Sequence, residues 1–69
     1  MEMEDKMLVL KKKIKAKFWL DPEKDIIYTN VCTLYPPALR LLADLDLVVD
    51  TYIYSGVSCL CLYNYITKH

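Results

Sequence analysis

Residues 37–54 read PALRLLADLDLVVDTYIY, and whether they form a helix or a helix followed by a strand sets the topology of everything around them. At about 100° per residue, Arg40, Asp44, Asp46, Asp50 and Thr51 fall within one arc of about 160°, with Leu39, Ala43, Leu47 and Tyr54 among them. The rest of the circumference is apolar: Ala38, Leu41, Leu42, Leu45, Val48, Val49, Tyr52 and Ile53. Pro37 suits a first helical position, where no amide hydrogen is needed, and Gly56 suits the exit from a helix, where φ turns positive. The pattern predicts one amphipathic helix over 37–54.

A competing reading ends a shorter helix near Asp46. From Leu47 onward the chain is dense in β-branched and aromatic residues, which lose χ1 freedom in a helix and suit a pleated surface. Residues 48–54 then pair with 57–66 as a hairpin across Ser55-Gly56, a two-residue turn. The long helix is preferred here, because the wheel separates every charge from the apolar stripe while the strand alternation over 48–54 is irregular.

Upstream, residues 7–20, MLVLKKKIKAKFWL, alternate from Lys11 onward. Leu8, Leu10, Ile14, Ala16, Phe18 and Leu20 fall on one side, interrupted by Lys12; Lys11, Lys13, Lys15, Lys17 and Trp19 fall on the other. This predicts a half-buried strand with a ladder of ammonium groups on its outer face. Asp21-Pro22-Glu23-Lys24 is a turn, with Pro presetting φ and Asp21 able to accept a hydrogen bond from the backbone two residues on. Residues 25–35 return as a second strand that sets Leu20 opposite Asp25 and Phe18 opposite Ile27.

Tyr35-Pro36-Pro37 forces extended backbone and starts the helix. Residues 57–67, VSCLCLYNYIT, alternate again, with Cys59, Cys61, Tyr63 and Tyr65 on one side. A strand that follows a helix crossover should run parallel to the strand before it. It then pairs antiparallel to the first strand. The expected fold is α+β: a small antiparallel sheet with one helix on one face, ββαβ in strand order 2-1-3, or ββαββ if 48–54 is a strand. One domain fills residues 1–69, with 1–6 flexible.

A chain of 69 residues buries little core, and domains this small usually need a disulfide, a metal or a partner. The three cysteines, Cys32, Cys59 and Cys61, cannot all pair, and two at i and i+2 in a strand are poorly angled for a bridge. Zinc wants four ligands, and only Cys32 and His69 could complete a Cys59–Cys61 pair, so no metal and no cofactor are expected. The alternating Asp21, Glu23 and Asp25 lack the glycine and distal glutamate of a calcium loop. The acidic opening MEMED is unlike a secretory leader. The uncharged run 51–67 is too short and polar to span a membrane. Reduced thiols in a cytoplasm are the expectation, and oligomerisation or docking is the remaining aid to stability.

Nine basic and nine acidic residues leave zero formal charge, which removes long-range steering toward nucleic acid. No serine or cysteine has a recognisable base nearby and the sole histidine, His69, is the last residue, so an enzyme is not expected. Lys-, Ile- and Tyr-rich usage has the flavour of AT-rich viral or phage genomes. In the predicted sheet, Trp19, Tyr28, Cys59, Cys61, Tyr63 and Tyr65 border Lys11, Lys13, Lys15 and Lys17 on the face away from the helix. Aromatic residues of this kind are enriched at binding hot spots. The functional expectation is a small intracellular interaction protein, such as a virus- or phage-encoded inhibitor acting in the host cytoplasm. It would occlude a larger host protein, with a homodimer through the edge strand 57–67 compatible. The alternative is single-stranded nucleic-acid binding, with rings stacking on bases and lysines meeting phosphates. No small-molecule substrate is evident.

Overall fold

A computed structural model describes residues 2–65. In chain order the elements are α1 (Met3–Lys13), β1 (Phe18–Asp21), β2 (Ile26–Thr29), α2 (Pro36–Asp44), β3 (Leu47–Tyr54) and β4 (Val57–Asn64). The four strands form one antiparallel sheet in the order β1-β2-β4-β3. The class is α+β, as the sequence predicts, with two helices in place of one.

The stretch 37–54 divides in the way the competing reading requires. Tyr35 is extended ahead of the helix, Pro36 and Pro37 open it, and Leu45 closes it. Asp46 then takes the left-handed conformation at φ 55°, the position at which a chain leaves a helix. Leu47 to Tyr54 run as strand because each residue finds a partner on β4, from Leu47 opposite Asn64 to Tyr54 opposite Val57. Ser55 and Gly56 both have positive φ, 51° and 77°, as a two-residue turn between twisted strands needs.

That extra strand also overturns the expected strand order. Once β3 runs back along the sheet, the last strand points opposite to β2, so β4 lies directly beside β2 and β3 takes the outer place. The final strand is therefore interior rather than an edge, and the Lys-rich segment is not central. The part of the predicted last strand at 66–67, with His69, lies outside the described residues.

The first predicted strand is the larger correction. Only Phe18–Asp21 of it is strand; Met3–Lys13 is helix. Met, Leu, Lys and Glu are all good helix formers. Glu4 and Asp5 stand in the first turn and Lys11, Lys12 and Lys13 in the last, matching the helix dipole at both ends. Met3, Lys6 and Leu10 are buried along one stripe, so residues 3–6, expected to be flexible, form a packed first turn. The long apolar stem of Lys6 adds hydrocarbon to that buried stripe.

The β1–β2 hairpin keeps the predicted turn but moves by two residues. Phe18 faces Thr29, Leu20 faces Ile27 and Asp21 faces Ile26. An even shift leaves each side chain on its expected face. The turn is held by Asp21, whose Oδ1 accepts the Glu23 and Lys24 N–H groups at 3.0 and 3.2 Å. Asp25, at φ 58°, donates its N–H to the Asp21 carbonyl at 2.8 Å. One core results, with Met3 and Leu10 of α1, Leu42 of α2 and Phe18, Ile27, Leu47 and Leu62 of the sheet.

Candidate functional site

Both helices cover the sheet face that carries Phe18, Ile27 and Leu62. Period two places Trp19, Tyr28, Tyr52, Tyr54, Cys59, Cys61 and Tyr63 on the other face. Cross-strand register builds a row there: Trp19 opposite Tyr28, Tyr28 opposite Cys61, and Cys61 opposite Asp50. The Trp19 and Tyr28 rings stack with centroids 6.2 Å apart. Tyr28 and Tyr52 meet edge to face at 4.9 Å, closing over the small Cys61 between them.

Trp19 also meets Tyr54 at 6.5 Å, although β1 and β3 are the two outer strands of the sheet. Rings from both edges therefore converge over the middle, a meeting that the right-handed twist common to β-sheets permits. This convergence explains why β4 is buried on both sides, with Cys59, Leu60, Cys61 and Leu62 all inside. The thiols of Cys59 and Cys61, expected on an accessible surface, are instead 5% and 1% exposed.

The rings are not sealed in turn. Trp19 is 39% exposed and Tyr54 60%, and Tyr28, Tyr52 and Tyr63 are half-buried. Tyr65 is exposed just past β4, where its N–H donates to the Asp46 carbonyl at 2.8 Å. Ile53, Tyr54 and Val57 form an exposed apolar tip on the β3–β4 hairpin. On its outer side β3 has no strand neighbour among the described residues. The Thr51 N–H on this strand is taken by Asp50 Oδ1 at 2.8 Å, so a charged side chain guards its midpoint.

Tyr52 carries the most constrained polar group of the face. Its hydroxyl donates to the Thr29 carbonyl at 2.9 Å. Burial, then the neighbouring Cys59 and Cys61 sulfurs and Tyr54, push its pKa above the ordinary value of 10.0. The phenol is therefore protonated, and a donor, at neutral pH. Sequence reasoning missed Tyr52 and Tyr54 by placing them on a helix; the β-branched and aromatic density of LVVDTYIY was the signal that locates them.

The lysines do not form a ladder. Lys11 and Lys13 lie in the last turn of α1, and Lys15 and Lys17 lie in the link to β1, all exposed. Lys17 is tied by its N–H to Asn30 Oδ1 at 3.1 Å. Lys11 borders Trp19 in a shallow hollow of about 360 Å³ shared with Glu4, Met7 and Pro22. Lys13 and Lys15 turn to a different place, a groove of about 650 Å³ beside α2. Cys32 is exposed, unlike the buried Cys59 and Cys61. Among the described residues no cluster of three or more His, Cys, Asp or Glu could hold a metal ion, and no helix is long and apolar enough to cross a membrane. In comparisons with protein-family models, with curated proteins and with solved structures, nothing matches this chain.

Proposed function

We propose that the chain is a small protein-interaction module that docks onto a larger partner protein and works by occlusion, as an inhibitor would. Its docking surface is the ring face of Trp19, Tyr28 and Tyr54, continued by the hairpin tip and the outer edge of β3. The observation that carries this reading is the convergence of exposed rings from both outer strands onto one sheet face. Rings held by one another lose little freedom on binding and bring large apolar area, the properties of interface anchors. An eight-residue strand with no strand neighbour on its outer side among the described residues adds main-chain hydrogen bonds for an incoming strand on either side of the Asp50-capped midpoint. A second copy could use that same edge. The compartment that suits three cysteines outside any disulfide is a reducing cytoplasm.

The test is retention from nuclease-treated lysate on the immobilised chain, compared with Trp19→Ser/Tyr54→Ser. A discrete protein held by the parent chain and lost by about tenfold or more in the double variant supports the reading. Retention that vanishes with nuclease, and that falls steeply with salt, favours single-stranded nucleic acid instead. Equal retention by both chains excludes the ring face. Circular dichroism establishes that the variant is folded.

A further inference from the structure

The groove of about 650 Å³ lies on the helical side, away from the rings. One wall is a stripe of α2, Pro37, Ala38, Leu41 and Asp44, which recurs at three- and four-residue spacing along the whole helix, with Arg40 at its rim. The opposite wall is the end of α1 and its link, Lys13 to Ala16, and Val31 and Leu34 contribute to the floor. The floor is thus apolar, while cations stand on both walls: Lys13 and Lys15 on one, Arg40 on the other. Asp44 is the sole carboxylate among the lining residues. In a chain of zero net charge, this is a local excess of positive charge around an apolar trough.

The start of α2 cannot supply the anion contact. Pro36 and Pro37 have no N–H, and the Ala38 and Leu39 N–H groups are both spent on the Tyr35 carbonyl, at 2.9 and 3.1 Å. Anionic groups must therefore be met by the long side chains. These are spread over two walls, so they suit several separated carboxylates better than a single headgroup at one end. Nine residues of helix make a trough about 13 Å long, which accommodates about four residues of extended chain.

We propose that this groove binds an acidic amphipathic peptide segment of a partner protein. Its apolar side chains lie on Ile14, Ala16, Leu34 and Leu41, and its carboxylates pair with Lys13, Lys15 and Arg40. The inference rests on reading the chain as a protein-binding module but uses a surface separate from the ring face, so either site can fail alone.

The test uses a fluorescein-labelled peptide of about eight alternating leucine and glutamate residues, with fluorescence anisotropy for affinity and amide chemical shifts for location. The expected result is saturable binding that perturbs the amides of 13–16 and 38–44. Lys15→Glu/Arg40→Glu should weaken it by about tenfold, and Ala38→Trp, which fills the trough, should abolish it. Trp19→Ser/Tyr54→Ser should leave it unchanged. Equal binding of the matching leucine–lysine peptide, or of oligoglutamate, overturns the proposal by removing the role of charge or of the floor. So does competition by dodecanoate at equal affinity, which would mark a small-amphiphile site, or shifts confined to the ring face, or no binding at low salt.

Discussion

Tyr52 on β3 donates its phenolic hydrogen to the Thr29 carbonyl of β2 at 2.9 Å, reaching over β4, which lies between those two strands. One side chain thereby ties an outer strand to an inner one and roofs the Cys59–Cys61 segment. Tyr52→Phe keeps the ring and removes the hydrogen bond, and should cost about 1 kcal/mol in urea unfolding. The pH dependence follows from the raised pKa. The folded state holds this proton more tightly than the unfolded chain, so its contribution is complete below about pH 10 and is lost as pH rises through the folded-state value. From about pH 10 upward the parent chain should lose stability more steeply than Tyr52→Phe; parallel curves would refute the assignment.

Thr29 presents the opposite situation at its side chain. It is fully buried, and Oγ1 has no hydrogen-bond partner among the described residues. A buried hydroxyl without a partner carries its desolvation cost uncompensated. Thr29→Val keeps the branched shape and should raise stability by about 1 kcal/mol, measured as an upward shift of the urea midpoint at unchanged slope. A loss of stability would mean that the hydroxyl is satisfied.

The cysteines should separate into two kinetic classes. Cys32 is exposed, whereas Cys59 and Cys61 are enclosed by the Tyr28 and Tyr52 rings on one side of the sheet. With a disulfide reagent, one thiol per chain should react at once and two only at the rate of opening. Tyr52→Ala should speed the slow class without changing the fast one. Three equally fast thiols would mean that the rings do not close over β4.

Two backbone positions should respond with opposite signs. At Gly56, φ is 77° and an added Cβ would meet nothing within 4 Å, so Gly56→Ala should cost only the left-handed strain, about 1 kcal/mol. Asp46 already bears that strain at φ 55°, and Asp46→Gly should recover about 0.5–1 kcal/mol. Thermal melts of the two variants, displaced in opposite directions, check both.

The punctuation of this fold was legible in the residues themselves. Asp21-Pro22 makes the predicted turn, Tyr35 and Pro36 start α2, and Ser55-Gly56 makes the tight turn of the competing reading. Each of these depends on neighbours within a few positions, so local stereochemistry suffices. Face assignment in the first hairpin also survived, because its two-residue register shift preserves the pleat.

What required the assembled molecule was the state of 3–13 and 47–54 and the order of the strands. Helix and strand propensities differ by only tenths of a kcal/mol per residue, less than a residue gains from a paired backbone and a covered side chain. For 47–54 that gain comes from β4, whose partners lie up to 17 positions away; for 3–13 it comes from Phe18, Ile27 and Leu62. Once those distant contacts form, β4 moves inside the sheet, the lysines leave it, and the rings of two outer strands come together. No period in a linear string encodes that meeting, because it depends on the strand order of the finished sheet.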